Sequence, residues 1–334
     1  MPANQQILFD SRPTGAVGAA NFRLAETPIP TPGPGQTLVR HHFLSLDPYM
    51  RGRLSEAKSY AAPQALGAVM GGGTVGEVVA SNNPAFKPGD KVVGMGGWQL
   101  YALSDGRDIR VIDASRIPIQ AYLGPVGMPG VTAWYGLNKI IAPRPGQTVV
   151  VSAATGAVGS VVGQLAKIAG AKTVGIAGGP DKCAYARDEL GYDRCVDHKS
   201  PGFAAELKSA LPDGIDGLFE NVGGAPFDNC LRYLNDFSRI ALCGLIASYE
   251  GAPTILPDMR IFLVRRIRIE GFIVSDHLPG PGLFMSFAIS DAVRGSGPVK
   301  AVSCAAVNAP TTGWVEDPGA PSASGVRNGK YVGS

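Results

Sequence analysis

Residues 148–163 read TVVVSAATGAVGSVVG, and this stretch constrains the fold more than any other in the chain. Its opening, 148–151, is a β-branched run suited to a buried strand. A tight glycine turn follows, and residues 157–169 carry apolar spacing compatible with a helix. A strand that runs through glycines straight into a helix is the opening of a dinucleotide-binding unit. Gly156 and Gly159 let backbone approach a pyrophosphate, and Gly163 lets the helix pack closely on the sheet. The spacing is GxxGxxxG, because Ala154 stands where the first glycine of GxGxxG would be. Alone, the same letters describe a packed strand and helix of small residues.

The flanks favour the nucleotide reading. A second strand is expected over 172–177, with Gly178 and Gly179 just beyond it. An acidic residue at that tip would hold both ribose hydroxyls and select NAD. Glycines stand there instead, with Lys182 close by to attract a 2′-phosphate, so the expected cofactor is NADPH. The plainer reading of Lys182 is a solvated lysine near a helix start. Downstream, strands and helices alternate: helices over 180–190, 203–211 and 227–234, and strands over 195–197, 217–220, 239–242 and 267–274. That rhythm implies a parallel, doubly wound sheet, whose ligands lie beyond the carboxyl ends of the strands. The rule points to Glu220 and Asn221, to residues 244–249 and to residues 272–274. RRIRIEGFIV at 265–274 alternates charge with isoleucine and reads as an edge strand rather than an RNA-binding segment.

The first part of the chain is different. Short strands at 22–24, 37–42, 67–80 and 86–93, with another in GWQLYAL, imply a mostly antiparallel β domain, a partly open barrel. Asp47-Pro48 marks a turn in LSLDPYMRGR, where Tyr49 and Arg51 either face a cleft or pack the loop. The 334 residues allow two domains and an ample core. A net charge of +3 is too small to argue for nucleic acid or an anionic membrane. No signal-peptide pattern and no apolar run long enough to span a bilayer stand out, so the expected location is the cytoplasm. The cysteines, 183, 195, 230, 243 and 304, form no CxxC pair, and none precedes residue 183. No metal is expected. No G-x-S-x-G elbow appears, which counts against acyl transfer.

Eight segments in order carry a resemblance: LSLDPYMRGR, GGTVGEVVAS, GMPGVTAWYGL, VVVSAATGAVGSVVGQLAK, GIAGGPDKC, GIDGLFENVGG, CGLIASY and RIRIEGFIV. Together they resemble the zinc-independent medium-chain dehydrogenases/reductases, in the prostaglandin reductase and alkenal double-bond reductase branch, and in particular the bacterial NADPH-dependent curcumin/dihydrocurcumin reductases. The resemblance implies an α/β protein with a GroES-like β catalytic domain over 1–125, a Rossmann-type NADPH-binding domain over 126–285 and a C-terminal segment, 286–334, completing the catalytic domain. It implies a homodimer that reduces the C=C bond of α,β-unsaturated ketones and aldehydes without a metal. By the same likeness, Thr155, Gly156, Ala157, Val158 and Gly159 hold the pyrophosphate and Lys182 the 2′-phosphate. His198 stands where the family commonly has a tyrosine. Asn221, Cys243, Gly244, Leu245, Ile246, Ser248, Tyr249, Phe272, Ile273, Val274 and Asn328 line the cofactor. Tyr49 and Tyr249 match tyrosines near the nicotinamide and substrate, with Tyr60 on the same pocket wall.

The tail departs from the family. VNAP at 307–310 and NGK at 328–330 match its landmarks, but TTGWVEDPGAPSASGVR between them is poor in helix formers. Either the tail has diverged or its coding segment is frameshifted. Two rival readings share the cofactor: a quinone reductase, and a cofactor-binding protein with little turnover.

Overall fold

The computed structural model describes residues 3–115, 117–249 and 258–277, together with the backbone of Ala305–Ala306, Val326–Arg327 and Lys330–Tyr331. The described residues fall into two units that part between Leu123 and Gly124.

The N-terminal unit is antiparallel. Strands β1 (Ala3–Phe9) and β2 (Phe22–Pro28) pair along their full length. The larger sheet is built on β3 (Thr37–Leu44), which pairs with β4 (Thr74–Ser81) and with β6 (Tyr101–Ser104). Beyond β4 lie β5 (Lys91–Gly94) and β7 (Ile109–Val111). The short β14 (Ala305–Ala306) pairs with Phe43 and Leu44 of β3. Phe9, Met50, Leu54 and Met70 form one core cluster, each of the larger side chains worth roughly 1.5–3 kcal/mol of apolar transfer. The Asp47-Pro48 turn leads into a short helix, α1 (Tyr49–Arg53), in which Met50 is buried. The first strand, β1, lies ahead of every strand expected from the sequence, since its NQQ run gives no alternating apolar signal.

The second unit is a six-stranded parallel sheet in the order β10-β9-β8-β11-β12-β13. Its strands are β8 (Thr148–Ser152), β9 (Lys172–Ala177), β10 (Arg194–Asp197), β11 (Ile215–Glu220), β12 (Leu234–Leu242) and β13 (Arg268–Gly271). The chain's strand order reverses between β8 and β11, which makes that gap the switch point where such sheets bind ligands. Val149, Val150 and Val151 are wholly buried, as the β-branched run requires of a central strand. α2 (Met128–Tyr135) precedes the sheet, and the crossover helices include α3 (Gly159–Ile168), α4 (Pro180–Asp188), α5 (Phe203–Ala210), α6 (Gly224–Leu231) and α7 (Arg260–Val264).

Two element boundaries correct the sequence reading. The helix expected over 227–234 is α6, three residues earlier at each end, and Leu234 instead opens β12 as a fully buried strand residue. Its apolar character fits either element, and sheet pairing with Ile215 decides. The strand expected to reach Val274 stops at Gly271, and Val274 begins a single 3-10 turn. Among the described residues β13 is the edge strand expected of the RRIRIEGFIV segment, with Arg268 and Ile269 exposed.

Candidate cofactor and active site

The turn after β8 is shaped by a steric constraint. Ala153 adopts a left-handed conformation at φ 49°, an unusual choice for a residue with a Cβ. Its carbonyl oxygen folds back so closely that a Cβ on Gly159 would lie 2.2 Å from it. Only glycine fits at 159, and for an internal reason rather than for a ligand's sake. A Cβ on Gly163 would lie 2.2 Å from the ring of Tyr192, so that glycine packs helix α3 against a tyrosine rather than directly on the sheet. Helix-type bonds begin with Ser160 donating to Gly156 O at 2.9 Å and Val162 to Val158 O at 3.0 Å. The amides of Ala157, Val158 and Gly159 lie ahead of those bonds, where a helix start offers donors to an anion. Thr155 is buried and Ala157 is exposed on the same turn.

Every expected cofactor residue among those described lies on a loop or helix start following the carboxyl end of a parallel strand. Beyond β9, Lys182 sits in the first turn of α4, half-buried and in no ion pair among the described residues. His198 follows β10 and donates its amide to Ala177 O at 3.0 Å. Burial, and then Lys199, push its imidazole below the ordinary value; Lys182 acts in the same direction. Between them stands a carboxylate that sequence reasoning missed. Asp197 Oδ1 accepts the amides of Gly179 at 2.7 Å and Lys199 at 2.9 Å. Burial opposes its ionisation, but those amides outweigh it and hold the carboxyl below its usual range. The negative charge at this edge is therefore already engaged by backbone.

Beyond β11 and β12 two loops interlock. Cys243 and Gly244 donate to Glu220 O at 2.9 and 3.1 Å, Ile246 to Asn221 O at 3.2 Å and Ala247 to Val222 O at 2.9 Å. Asn221 donates through Nδ2 to Ser152 O at 2.8 Å, tying this pair of loops to the end of β8. Cys243 is pushed up to about 12 by burial and stays a thiol. Leu245, Ile246, Ser248 and Tyr249 are half-buried around one 3-10 turn. Beyond β13, Phe272 and Val274 turn their side chains into core clusters, Phe272 edge-on to Phe219 at 6.3 Å. Only Ile273 of that trio is half-exposed, so any cofactor contact there falls to Ile273 or to backbone.

Tyr49 and Tyr60 belong to the N-terminal unit. Tyr49 is half-buried; burial, then Asp47, push its phenol up to about 12, and Tyr60 adds to the same direction. Tyr60 itself is 62% exposed. Asn328 lies outside the described residues. Ser152 and Tyr192, like Asp197, escaped the sequence reading because a serine closing an apolar strand and a tyrosine in a loop carry no spacing signal.

The residues present suit a dinucleotide phosphate: amides ahead of the first helical bonds of α3, the switch point between β8 and β11, and Lys182, in no ion pair among the described residues. His41 Nδ1 is committed to Gln99 O at 2.8 Å, and among the described residues no group of three His, Cys, Asp or Glu is placed to hold a metal. No helix among them is long and apolar enough to cross a membrane.

Comparison with known proteins gives the same outline. Residues 5–112 match the family described as the N-terminal domain of oxidoreductase, and residues 157–286 match the zinc-binding dehydrogenase family. The NADPH-dependent curcumin reductase of Escherichia coli (strain K12) is 48% identical over 81% of this chain and 81% of its own. The NADP(+)-dependent 2-alkenal reductase of Nicotiana tabacum is 36% identical over 82% of each. The crystal structure of CurA from Vibrio vulnificus in complex with NADPH superimposes with a TM-score of 0.77 at 48% identity, covering 81% of this chain and 82% of that one.

Proposed function

Because the chain belongs to the medium-chain dehydrogenase/reductase family, we infer that it is an NADPH-dependent reductase of the C=C bond in α,β-unsaturated ketones and aldehydes. The observation that carries this is the sheet edge: open amides on α3, Lys182 on α4 and the interlocked loops after β11 and β12, in a chain nearly half identical to an NADPH-dependent curcumin reductase.

In this reading residues 155–159 hold the pyrophosphate, Lys182 and His198 the 2′-phosphate, and Asn221 with residues 243–249 and Ile273 line the nicotinamide end. NADPH, when bound, supplies the hydride that goes to the β-carbon of the enone. The protein's task is to stabilise the negative charge that develops on the carbonyl oxygen. Tyr49 and Tyr249 are the candidate donors. A phenol raised to about 12, as in Tyr49, holds its proton and serves as a hydrogen-bond donor rather than as a strong acid. Tyr60 completes the wall beside Tyr49. The work is done without zinc, and Asn328 contributes from the C-terminal segment.

The domain division at about residue 125, with a tail that returns to the catalytic domain, is supported by the pairing of β14 with β3. A homodimer is supported by the exposed apolar side chains of Met259, Leu263, Val264 and Ile269 on and before β13, the outermost strand of its sheet among the described residues. The cytoplasm suits Cys183, Cys195, Cys230 and Cys243, all free thiols.

The test is consumption of NADPH against NADH with curcumin, a simple aliphatic enone and a quinone. Turnover of both enones with preference for NADPH supports the reading; turnover of the quinone alone overturns it.

A further inference from the structure

We propose that Glu220 is a positioning residue for the cofactor, acting through the Asn221–Gly223 turn. The proposal rests on the reading of Asn221 and residues 243–249 as lining the nicotinamide end.

Glu220 ends β11 at the switch point and has no exposed surface. A single oxygen, Oε1, accepts from Ser152 Oγ at 2.9 Å, from the Val222 amide at 2.6 Å and from the Gly223 amide at 2.7 Å. Ser152 Oγ in turn accepts the Asn221 amide at 2.8 Å. One carboxyl thus fixes every amide of the turn, two of them directly and one through a hydroxyl. The carbonyl of Glu220 receives the amides of Cys243 and Gly244, and those of Asn221 and Val222 receive Ile246 and Ala247. Glu220 is therefore the origin from which both loops take their position. The other oxygen, Oε2, is buried and without a partner among the described residues.

Stability alone gives no reason for this choice. Burying a carboxyl is unfavourable, and an apolar residue would close a buried strand more cheaply. The carboxyl has value where backbone amides need an acceptor in a set position. Burial raises its proton affinity while the turn amides and Ser152 lower it, and burial prevails. Cys230 and Cys243 are the neighbouring titratable groups that feel its charge. Either protonation state offers an acceptor at Oε1, so a glutamine oxygen can replace it, whereas an aspartate is one methylene short.

The experiment measures the NADPH dissociation constant by cofactor fluorescence, with KM for NADPH and for an enone, in Glu220→Gln, Glu220→Asp and Ser152→Ala. All are read well below each variant's unfolding temperature. Loss of a buried hydrogen bond in the turn is expected to weaken NADPH binding about tenfold in Glu220→Asp and in Ser152→Ala, with enone KM changed less than about twofold. Glu220→Gln is expected to restore affinity to within about threefold of wild type. Should Glu220→Asp fail to fold, Ser152→Ala carries the test. Lower unfolding temperatures with wild-type NADPH affinity would make Glu220 merely structural and overturn the proposal. Failure of the wild-type protein itself to bind NADPH would overturn the underlying reading, and this proposal with it.

Discussion

The hydroxyl of Tyr192 donates to the carbonyl oxygen of Gly159 at 2.7 Å, anchoring the first residue of α3 from the loop that leads into β10. The same ring lies where a Cβ on Gly163 would be, 2.2 Å from its Cζ. Tyr192 is thus a template against which the start of the nucleotide helix is set. Gly163→Ala forces the ring or the helix to move and is expected to cost about 1–3 kcal/mol, as overpacking does. Tyr192→Phe keeps the packing and removes one buried bond, for about 1 kcal/mol. Denaturant unfolding of both variants checks the order; equal stability of Gly163→Ala and wild type would contradict it.

Lys182 decides between the two nicotinamide dinucleotides in this account. A hydrogen bond from a cation to phosphate contributes about 1.5–3 kcal/mol, a factor of roughly ten to a hundred. Lys182→Ala should raise KM for NADPH by that factor and leave KM for NADH within about twofold. Steady-state kinetics with each cofactor reads the ratio directly. An equal loss with both cofactors would remove Lys182 from the 2′-phosphate.

His198 should make NADPH binding pH-dependent. Burial and the neighbouring lysines hold its imidazole below the ordinary value, so the free protein carries it neutral near neutral pH. A 2′-phosphate favours the charged form, so binding takes up a proton and affinity rises as pH falls from about 7.5 towards about 6. NADH, without that phosphate, should show a flatter profile, and His198→Tyr should flatten the NADPH profile. Titrations of both cofactors across this range supply the check, and parallel profiles would exclude the role.

Acid should weaken the N-terminal unit through His41. Burial lowers its pKa to about 4, and Nδ1 is bonded to Gln99 O at 2.8 Å. The unfolded chain protonates this group near about pH 6.5 while the folded one does not, so the unfolded state binds more protons. Stability from the neutral imidazole is complete above about pH 6.5 and is lost progressively as pH falls to about 4, in total about 3 kcal/mol. Urea unfolding across that window should show a smaller slope for His41→Gln than for wild type. Identical slopes would mean that other groups govern the acid limb.

Much of this architecture could be read from the residues. The buried run in β8 and the alternation of strands with helices led to the parallel sheet, and the strand-end rule led to Glu220, Asn221 and residues 244–249. What escaped had no local signature. Ser152 acquires its role only from Glu220, its partner across the sheet, 68 positions away in the chain. Asp197 reaches the Gly179 amide only because β10 lies beside β9. Phe272 and Val274 stand at strand-end positions, yet their side chains serve the core, a choice set by packing against Phe219 and Val131. The left-handed turn at Ala153 has no glycine to announce it.

The most direct test of the central claim is the fate of a label. The protein is supplied with NADPH carrying deuterium at the transferable C4 position and with a simple α,β-unsaturated ketone, and the product is analysed by mass and NMR. The account predicts a saturated ketone with one deuterium on the former β-carbon, formed much faster with NADPH than with NADH. An allylic alcohol labelled at the carbonyl carbon would contradict it, as would cofactor binding with no labelled product.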